Sequence, residues 1–193
     1  MGRKGHCREY ILDAGSAVLL QKGYNGTGVK DIVDAASVPK GSFYNHFESK
    51  QAFVIEAIEK ISQQHNDEAK VILTKKGVSP KQRFFSFFDT VHSQMKANDF
   101  NGGCILGNLC LEMADENTAI REAVERLMCQ QIRLWRDNLN AAKESGELKA
   151  GFEPAELAEF LHFAWEGAIM KMKSCRVCQP YSTFRNQLEK FFN

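Results

Sequence analysis

Helical periodicity runs through nearly the whole sequence, and this feature constrains the fold most strongly. Apolar residues recur three or four positions apart in one segment after another, and no segment reads convincingly as the apolar–polar alternation of a half-buried strand. Glycine or proline interrupts the pattern, for example at Gly23, Pro39, Pro80 and Pro154. The sequence therefore predicts an all-α fold with about nine helices.

The first fifty residues divide into three predicted helices. Gly23 stands where the C-terminal glycine of the first helix belongs. Thr27 is a candidate N-cap for a short second helix, with Asp31 near its positive end. Pro39 suits the first turn of the third helix. The apolar stripe of the first helix consists of Tyr10, Ile11, Ala14, Ala17, Val18 and Leu20.

The rest of the chain reads as further helices of a larger unit. Ser49 is a candidate cap for a long fourth helix that ends near Lys76, and we expect a domain boundary between residues 50 and 51. Residues 1–50 then form one domain and residues 51–193 a second. The later predicted helices start at Pro80, Cys104, Asn117, Pro154 and Tyr181.

Charge and apolar runs limit the classes of function. The 193 residues carry a formal net charge of +1, which argues against a uniformly basic protein, so any contact with nucleic acid must come from local charge. Residues 1–50 contain seven Lys and Arg against five Asp and Glu, which gives +2 and leaves −1 for the remainder. No apolar run approaches the length of a membrane span, and no secretory signal pattern is present. We expect a cytoplasmic protein with no membrane partner.

The stretch VPKGSFYNHFESK, Val38–Lys50, concentrates groups that a core does not favour. Val38, Phe43 and Phe47 have spacings that allow them to face inward, which leaves the polar and basic side chains on other faces. Two short helices joined by a tight turn after a longer helix match a helix-turn-helix. The alternative is a surface helix over a small three-helix core, with Tyr44 and His46 as solvated edges.

A longer ordered set of motifs, from Arg8 to Phe53, resembles the DNA-binding domain of the TetR/AcrR family. Gly23-Tyr24, Thr27, VKDIVDAA and KGSFYNHFESK occur in order and at family spacing. The resemblance implies a three-helix DNA-binding domain followed by a larger helical ligand-sensing and dimerisation domain. It also implies a homodimeric repressor that binds a palindromic double-stranded operator and leaves it when a small hydrophobic or electrophilic inducer acts on the second domain.

The resemblance also assigns roles by position. Thr27 and Tyr44 are expected to contact phosphate, and Lys50 to clamp the DNA backbone. The sequence departs from the family pattern at Gly28, where a second Thr or Ser is common, and at Gly15, where alanine is usual. The residues expected at or near base edges are Lys40, Gly41, Ser42, Asn45 and His46.

The second domain carries no recognisable catalytic, cofactor-binding or metal-binding pattern, so an enzyme is not expected. Its large aromatics, including the regulatory candidates Trp135 and Trp165, suit either an ordinary core or the lining of an inducer pocket. The nearly all-apolar helix Pro154–Lys173 and the striped helix Tyr181–Phe191 are the candidates for a four-helix dimer interface.

Cys104 is the strongest candidate for a residue that senses electrophiles. It follows Gly102-Gly103 at the start of a predicted helix, where the helix dipole favours the thiolate. The motifs GGCILGNL and GAIMKMK resemble a NemR-like, electrophile-responsive branch of the family. That resemblance implies a sensor cysteine at Cys104 and an engaging lysine at Lys173. The alternative is a small buried residue that only packs.

The six cysteines suggest a reduced environment, because the chain has no secretory signal and is too long to need disulfides. Cys175 and Cys178 form a lone CxxC pair, which supplies at most two metal ligands. A coincidence at a helix end is one explanation and a redox role is the other. A cysteine-based redox or metal-binding helical protein without DNA binding is therefore the alternative function.

Overall fold

The computed structural model describes the backbone of residues 2–193 and the side chains of residues 7–193. Over residues 2–193 the chain forms nine α-helices and no strand, apart from an isolated antiparallel bridge between Leu148 and Phe192. The all-α prediction is confirmed. The helices are α1 (Gly2–Lys22), α2 (Val29–Ala35), α3 (Lys40–Tyr44), α4 (Lys50–Leu73), α5 (Pro80–Ala97), α6 (Ile105–Met113), α7 (Thr118–Glu144), α8 (Pro154–Cys175) and α9 (Gln179–Glu189).

The chain divides into two compact units. The first contains the residues up to Gln64 together with Ile105–Leu127, and the second contains His65–Cys104 together with Met128–Asn193. Helices α4 and α7 each contribute residues to both units. The first unit thus holds the helix-turn-helix segment, the beginning of α4, all of α6 and the beginning of α7. The predicted domain boundary after residue 50 stays a prediction.

The buried face of α1 differs from the predicted stripe. Tyr10 is 56% exposed and Leu20 is 37% exposed, so both face outward. The predicted stripe was correct at Ile11 but missed Gly15 and Ser16, which are buried although neither has a large apolar side chain. The residues that α1 buries are Ile11, Leu12, Gly15, Ser16 and Leu19.

The start of α2 also differs from the prediction. Gly28, not Thr27, occupies the N-cap position. The Gly28 N–H donates to Asp31 Oδ2 at 2.8 Å, while the Thr27 hydroxyl donates to the carbonyl oxygen of Gly23 at 2.6 Å. The predicted cap at Thr27 was wrong because its hydroxyl is used within the preceding turn. The predicted cap at Ser49 is confirmed, since its Oγ accepts the Ala52 N–H at 3.0 Å.

The second unit is built around aromatic side chains. The Phe88 ring centroid lies 5.0 Å from that of Trp135 and 5.0 Å from that of Trp165, with edge-on geometry in both pairs. The α9 residues Phe184 and Leu188 are also buried in this core. Aromatic pairs of this kind add about 0.5–1.5 kcal/mol each beyond their buried area. Trp135 and Trp165 therefore stabilise the unit from its interior.

Candidate functional site

The α2–turn–α3 segment is held to α4 by a cluster of phenylalanines. Phe43 and Phe47 are almost fully buried, and their ring centroids lie 5.7 Å and 5.1 Å from that of Phe53 on α4. Ser37 makes the turn with a left-handed φ of 51°. Because the apolar anchors all point inward, the orientation of α3 on the first unit is fixed by core packing.

The other faces of α3 are left to solvent. Tyr44 is 54% exposed, and Lys40, Gly41 and Asn45 are exposed as well. Ser42 and His46 are half-buried. A Cβ added at Gly41 would meet no other atom within 4 Å, so packing within the chain does not require glycine there. The predicted DNA-reading residues thus share one short helix and its C-terminal end.

Lys50, the first residue of α4, reaches back to the turn that follows α1. Its Nζ donates to the carbonyl oxygen of Tyr24 at 3.0 Å and lies 3.9 Å from the centroid of the Tyr24 ring. Burial raises the pKa of the Tyr24 hydroxyl, so the ring stays neutral beneath the ammonium. These contacts fix the position of a half-buried cation directly after the helix-turn-helix.

Thr27 is placed differently from the other predicted DNA contacts. The residue is 0% exposed, and its hydroxyl donates to the Gly23 carbonyl as described above. This placement argues against the phosphate contact predicted for its side chain. The hydroxyl instead closes the turn between α1 and α2.

Glu112 on α6 is a residue of this region that sequence reasoning missed. Its Oε2 accepts the N–H of Tyr24 at 2.9 Å, and its Oε1 accepts the N–H of Asn25 at 2.7 Å. The partners are 87 and 88 residues apart in sequence, so no local spacing signals the contact. One carboxylate thereby satisfies two successive backbone donors.

In the second unit, Cys104 and the adjacent Gly103 lie against two ionisable α8 residues, Glu166 and Lys173. Cys104 directly precedes α6, is half-buried, and its thiol donates a hydrogen bond to the Glu166 carboxylate. Burial raises the pKa of Glu166, and this hydrogen bond partly offsets the rise. The aliphatic stem of Lys173 packs against the adjacent Gly103, since a Cβ there would be 3.5 Å from Lys173 Cδ. Cys104 and Lys173 are thus brought into one region.

The loop before Cys104 is held in an unusual conformation. Asp99 and Phe100 have φ angles of 50° and 56°, which non-glycine residues seldom adopt. The Arg176 guanidinium donates to the Asp99 carbonyl at 2.5 Å and to Asn101 Oδ1 at 2.9 Å. Arg176 therefore ties the end of α8 to this loop. It also lies between the two cysteines of the CxxC pair.

Disulfide bonding, metal binding and membrane insertion receive little support from the described residues. All six cysteines lie in the described part of the chain, and none is in a disulfide. Among the described side chains, no group of three or more His, Cys, Asp or Glu residues is placed to hold a metal ion. No helix within the described residues combines the length and apolarity needed to cross a bilayer.

Two parts of the sequence match known protein families. Residues 11–57 match the family described as bacterial regulatory proteins, tetR family. Residues 80–188, more than half of the chain, match the tetracyclin repressor-like C-terminal domain. The first match covers the helix-turn-helix and the beginning of α4, and the second covers most of α5 to α9.

Individual relatives and solved structures agree with these matches. The chain is 32% identical over 177 residues to the HTH-type transcriptional repressor DhaR of Mycobacterium sp. strain GP1, covering 92% of this chain and 87% of DhaR. It is 28% identical over 173 residues to the HTH-type transcriptional repressor NemR of Escherichia coli K12, covering 90% and 87%. The crystal structure of a regulatory protein TetR from Rhodobacter sphaeroides superposes with a TM-score of 0.89 at 30% identity, covering 96% of this chain and 98% of that one. The crystal structure of the reduced form of E. coli NemR gives 0.88 at 26% identity, covering 97% and 98%.

Proposed function

This chain belongs to the TetR family of bacterial regulatory proteins, and we propose that it is a DNA-binding transcriptional repressor that acts as a homodimer on a palindromic operator in the cytoplasm. The observation that carries the proposal is the solvent-facing polar side of α3, which is anchored from behind by Phe43 and Phe47. The relatives named above as HTH-type transcriptional repressors support the same function.

In this proposal α3 enters the major groove of double-stranded DNA. Lys40, Ser42, Asn45 and His46 supply the hydrogen-bonding groups near base edges, since they are exposed or half-buried whereas the phenylalanine anchors are buried. Gly41 lets the helix backbone approach the DNA closely. In a homodimer, two copies of α3 about 34 Å apart would read the two half-sites of a palindrome.

Two further residues are proposed to contact phosphate. Tyr44 is the last residue of α3 and is more than half exposed. The Lys50 ammonium donates one hydrogen bond to the Tyr24 carbonyl oxygen. An ammonium has three N–H groups, so another can donate to a phosphate oxygen. Contacts of this kind fix the register of a protein on DNA without reading its sequence.

We assign dimerisation to the outer faces of α8 and α9. The α9 residues Phe184 and Leu188 are buried within the second unit, so the interface must use other positions. On α8, Phe160 and Phe163 are 55% and 65% exposed, and the exposed Gly167 has open space where a side chain would be. Continuing the same face, Met170 is 54% exposed. A helix from a second copy would cover this apolar stripe.

The groove beside that stripe supports the same assignment. A depression of about 480 Å³ lies between α8 and α9, and its lining is mainly apolar. Phe160, Ala164 and Phe191 are among its lining residues. A concave surface next to exposed aromatics can receive side chains from the partner's α8 and α9, as expected for a four-helix interface.

The proposed inducer is an electrophile that reacts with Cys104. The thiolate sulfur would form a bond to the β-carbon of an unsaturated carbonyl compound, and the proton released from the thiol is balanced by protonation of the α-carbon. Two features support this assignment: the position just before α6 favours the thiolate, and the aliphatic stem of Lys173 lies beside the adjacent Gly103. Trp135 and Trp165 belong to the aromatic core that Cys104 packs against, so their proposed part in sensing is indirect.

Release from the operator requires that the modified protein favour a different spacing of its two α3 helices, because only differential affinity shifts an equilibrium. Helix α4 is a candidate for carrying the change. It begins directly after the helix-turn-helix and continues as one helix from Lys50 to Leu73, into the second compact unit.

A binding assay tests the proposed function. The protein is offered a random-sequence duplex library, and the selected DNA is used in mobility shifts at 50–200 mM salt. We expect a palindromic selected sequence and an affinity that falls by orders of magnitude over this range, as phosphate contacts require. Failure to enrich any sequence, or a salt-independent affinity, would refute the proposal. The alternative of a cysteine-based redox or metal protein without DNA contact is not favoured, since the relatives named above are transcriptional repressors.

A further inference from the structure

The turn after α1 is shaped to hold a carboxylate. The N–H groups of Tyr24 and Asn25 point at the two oxygens of Glu112, at 2.9 Å and 2.7 Å. Gly23 has a φ of +69°, and a Cβ on it would lie 2.7 Å from Glu112 Oε2. Glycine is therefore needed twice at this position, once for the left-handed backbone and once for the space that the carboxylate occupies.

The same turn holds the cation that follows the helix-turn-helix. Tyr24 uses its N–H for Glu112 and its carbonyl oxygen for Lys50 Nζ, at 3.0 Å. The Glu112 carboxylate accepts from the backbone N–H groups of the turn, and the Lys50 ammonium donates to the Tyr24 carbonyl oxygen. Both charges therefore polarise the peptide groups around Tyr24 in the same direction. The position of Lys50 thus depends on the turn, and the position of the turn depends on Glu112.

We propose that Glu112 is a positioning residue for DNA binding: it fixes the Gly23–Asn25 turn and, through it, the Lys50 ammonium at the phosphate backbone. The inference rests on the proposed function, because it assumes that Lys50 contacts DNA. It also gives α6 a regulatory part. This nine-residue helix begins directly after Cys104 and carries Glu112 as its next-to-last residue.

A consequence of this arrangement is that α6 links chemistry at its start to the DNA-binding surface at its end. A displacement of α6 that moves the Glu112 carboxylate leaves two backbone N–H groups without their acceptor, and the turn must then rearrange. Loss of the Lys50 position would follow, and DNA affinity would fall without any contact between DNA and α6.

The test uses Glu112→Gln, which keeps the side-chain shape but replaces one acceptor oxygen with an NH₂ group. The matched control is Glu122→Gln, which changes an exposed carboxylate on α7 in the same compact unit. Binding to the duplex selected by the wild-type protein is measured between 50 and 200 mM salt. We expect E112Q to bind about tenfold more weakly and to lower the salt slope by about two per dimer, one lost phosphate contact for each subunit. The control should match the wild type.

A double-variant cycle separates positioning from a general loss of stability. Lys50→Ala should lower the salt slope by the same amount, and the E112Q/K50A double variant should be no weaker than K50A alone. Glu112→Asp, which keeps both oxygens, should recover part of the slope that E112Q loses and provides a second variant if E112Q folds poorly. An unchanged slope in E112Q, or losses that multiply in the double variant, would overturn the inference. If the wild-type protein selects no duplex, that result refutes the proposed function, and the inference, which depends on DNA binding, is refuted with it.

Discussion

Gly15 and Phe53 lie so close together that a Cβ at position 15 would be only 2.5 Å from Phe53 Cζ. The same Cβ would lie 2.7 Å from Ile32 Cγ2. The backbone of α1 therefore packs directly against side chains of α2 and α4, with no room for even a methyl group. This close approach accounts for the glycine found where the family resemblance leads one to expect alanine.

Gly15→Ala should destabilise the protein although alanine is the better helix former. Alanine gains about 1 kcal/mol of helix propensity over glycine, but overpacking of a filled site costs about 1–3 kcal/mol and, in this case, involves the ring of Phe53. We expect a net loss of about 1 kcal/mol in the free energy of unfolding, measured by urea denaturation. Ala17→Gly, at an exposed position of the same helix, is the control and should show the propensity cost alone. A more stable Gly15→Ala variant would contradict the packing argument.

The parts of the structure that follow from local chemistry were predictable from the sequence. Ser49 caps α4 and Pro80 begins α5 as expected, because capping and proline geometry depend on neighbouring residues only. The face of α1 was not, since Gly15 meets Phe53 only after the chain has folded. The cap at Thr27 was also missed, because its hydroxyl has a competing local acceptor in the Gly23 carbonyl oxygen four residues earlier. The DNA-facing residues of α3 were predicted from the order of the family motifs along the sequence.

Gly41→Ala should leave the fold intact and weaken DNA binding. A Cβ at this position meets nothing within 4 Å, so no clash arises in the free protein, and helix propensity favours alanine. If α3 lies against base edges, the added methyl group must displace DNA. We expect an unchanged or slightly raised melting temperature together with a binding loss of about tenfold, about 1.4 kcal/mol, in mobility shifts. A variant that binds as tightly as the wild type would remove Gly41 from the interface.

Phe163→Glu should separate the proposed dimer. The side chain is 65% exposed on the apolar stripe of α8, so the free subunit tolerates the charge, whereas a covered interface would bury it unpaired. Sedimentation analysis should then show monomers, and operator affinity should drop because two half-sites are no longer bound together. Leu111→Glu is the matched control, since Leu111 is 76% exposed on α6 and lies outside the proposed interface. Equal dimerisation of both variants would disprove the α8 assignment.

Cys104→Ser should abolish release by thiol-reactive electrophiles while preserving DNA binding. We expect N-ethylmaleimide to lower the operator affinity of the wild-type protein at least tenfold and to leave that of the serine variant unchanged. Cys110→Ser is an informative control because Cys110 is the more exposed of the two cysteines and a simple accessibility argument would select it. If electrophile-induced release persists in Cys104→Ser and is lost in Cys110→Ser, the sensor is Cys110 and the assignment to Cys104 is wrong. Mass spectrometry of the labelled protein identifies the modified thiol in each case.

Glu166→Gln should change both the pH dependence of stability and the reactivity of Cys104. Burial raises the pKa of Glu166 in the folded protein above its ordinary value of 4.5, so the unfolded chain releases this proton first as pH rises. The contribution of Glu166 to stability is therefore complete below pH 4.5 and is lost as pH rises through the raised pKa of the folded state. Glutamine does not titrate, and the variant should gain stability relative to the wild type across that window in urea denaturation at several pH values.

The same carboxyl group governs the neighbouring thiol. Above its raised pKa, ionised Glu166 accepts a hydrogen bond from the Cys104 thiol and would repel a thiolate, whereas a neutral amide at this position removes the negative charge. Iodoacetamide should thus alkylate Cys104 severalfold faster in E166Q than in the wild type at pH values above the raised pKa of Glu166, with the difference shrinking as the pH falls through that pKa and Glu166 becomes protonated. A rate difference that is the same at every pH would mean that Glu166 acts through packing and not through its charge.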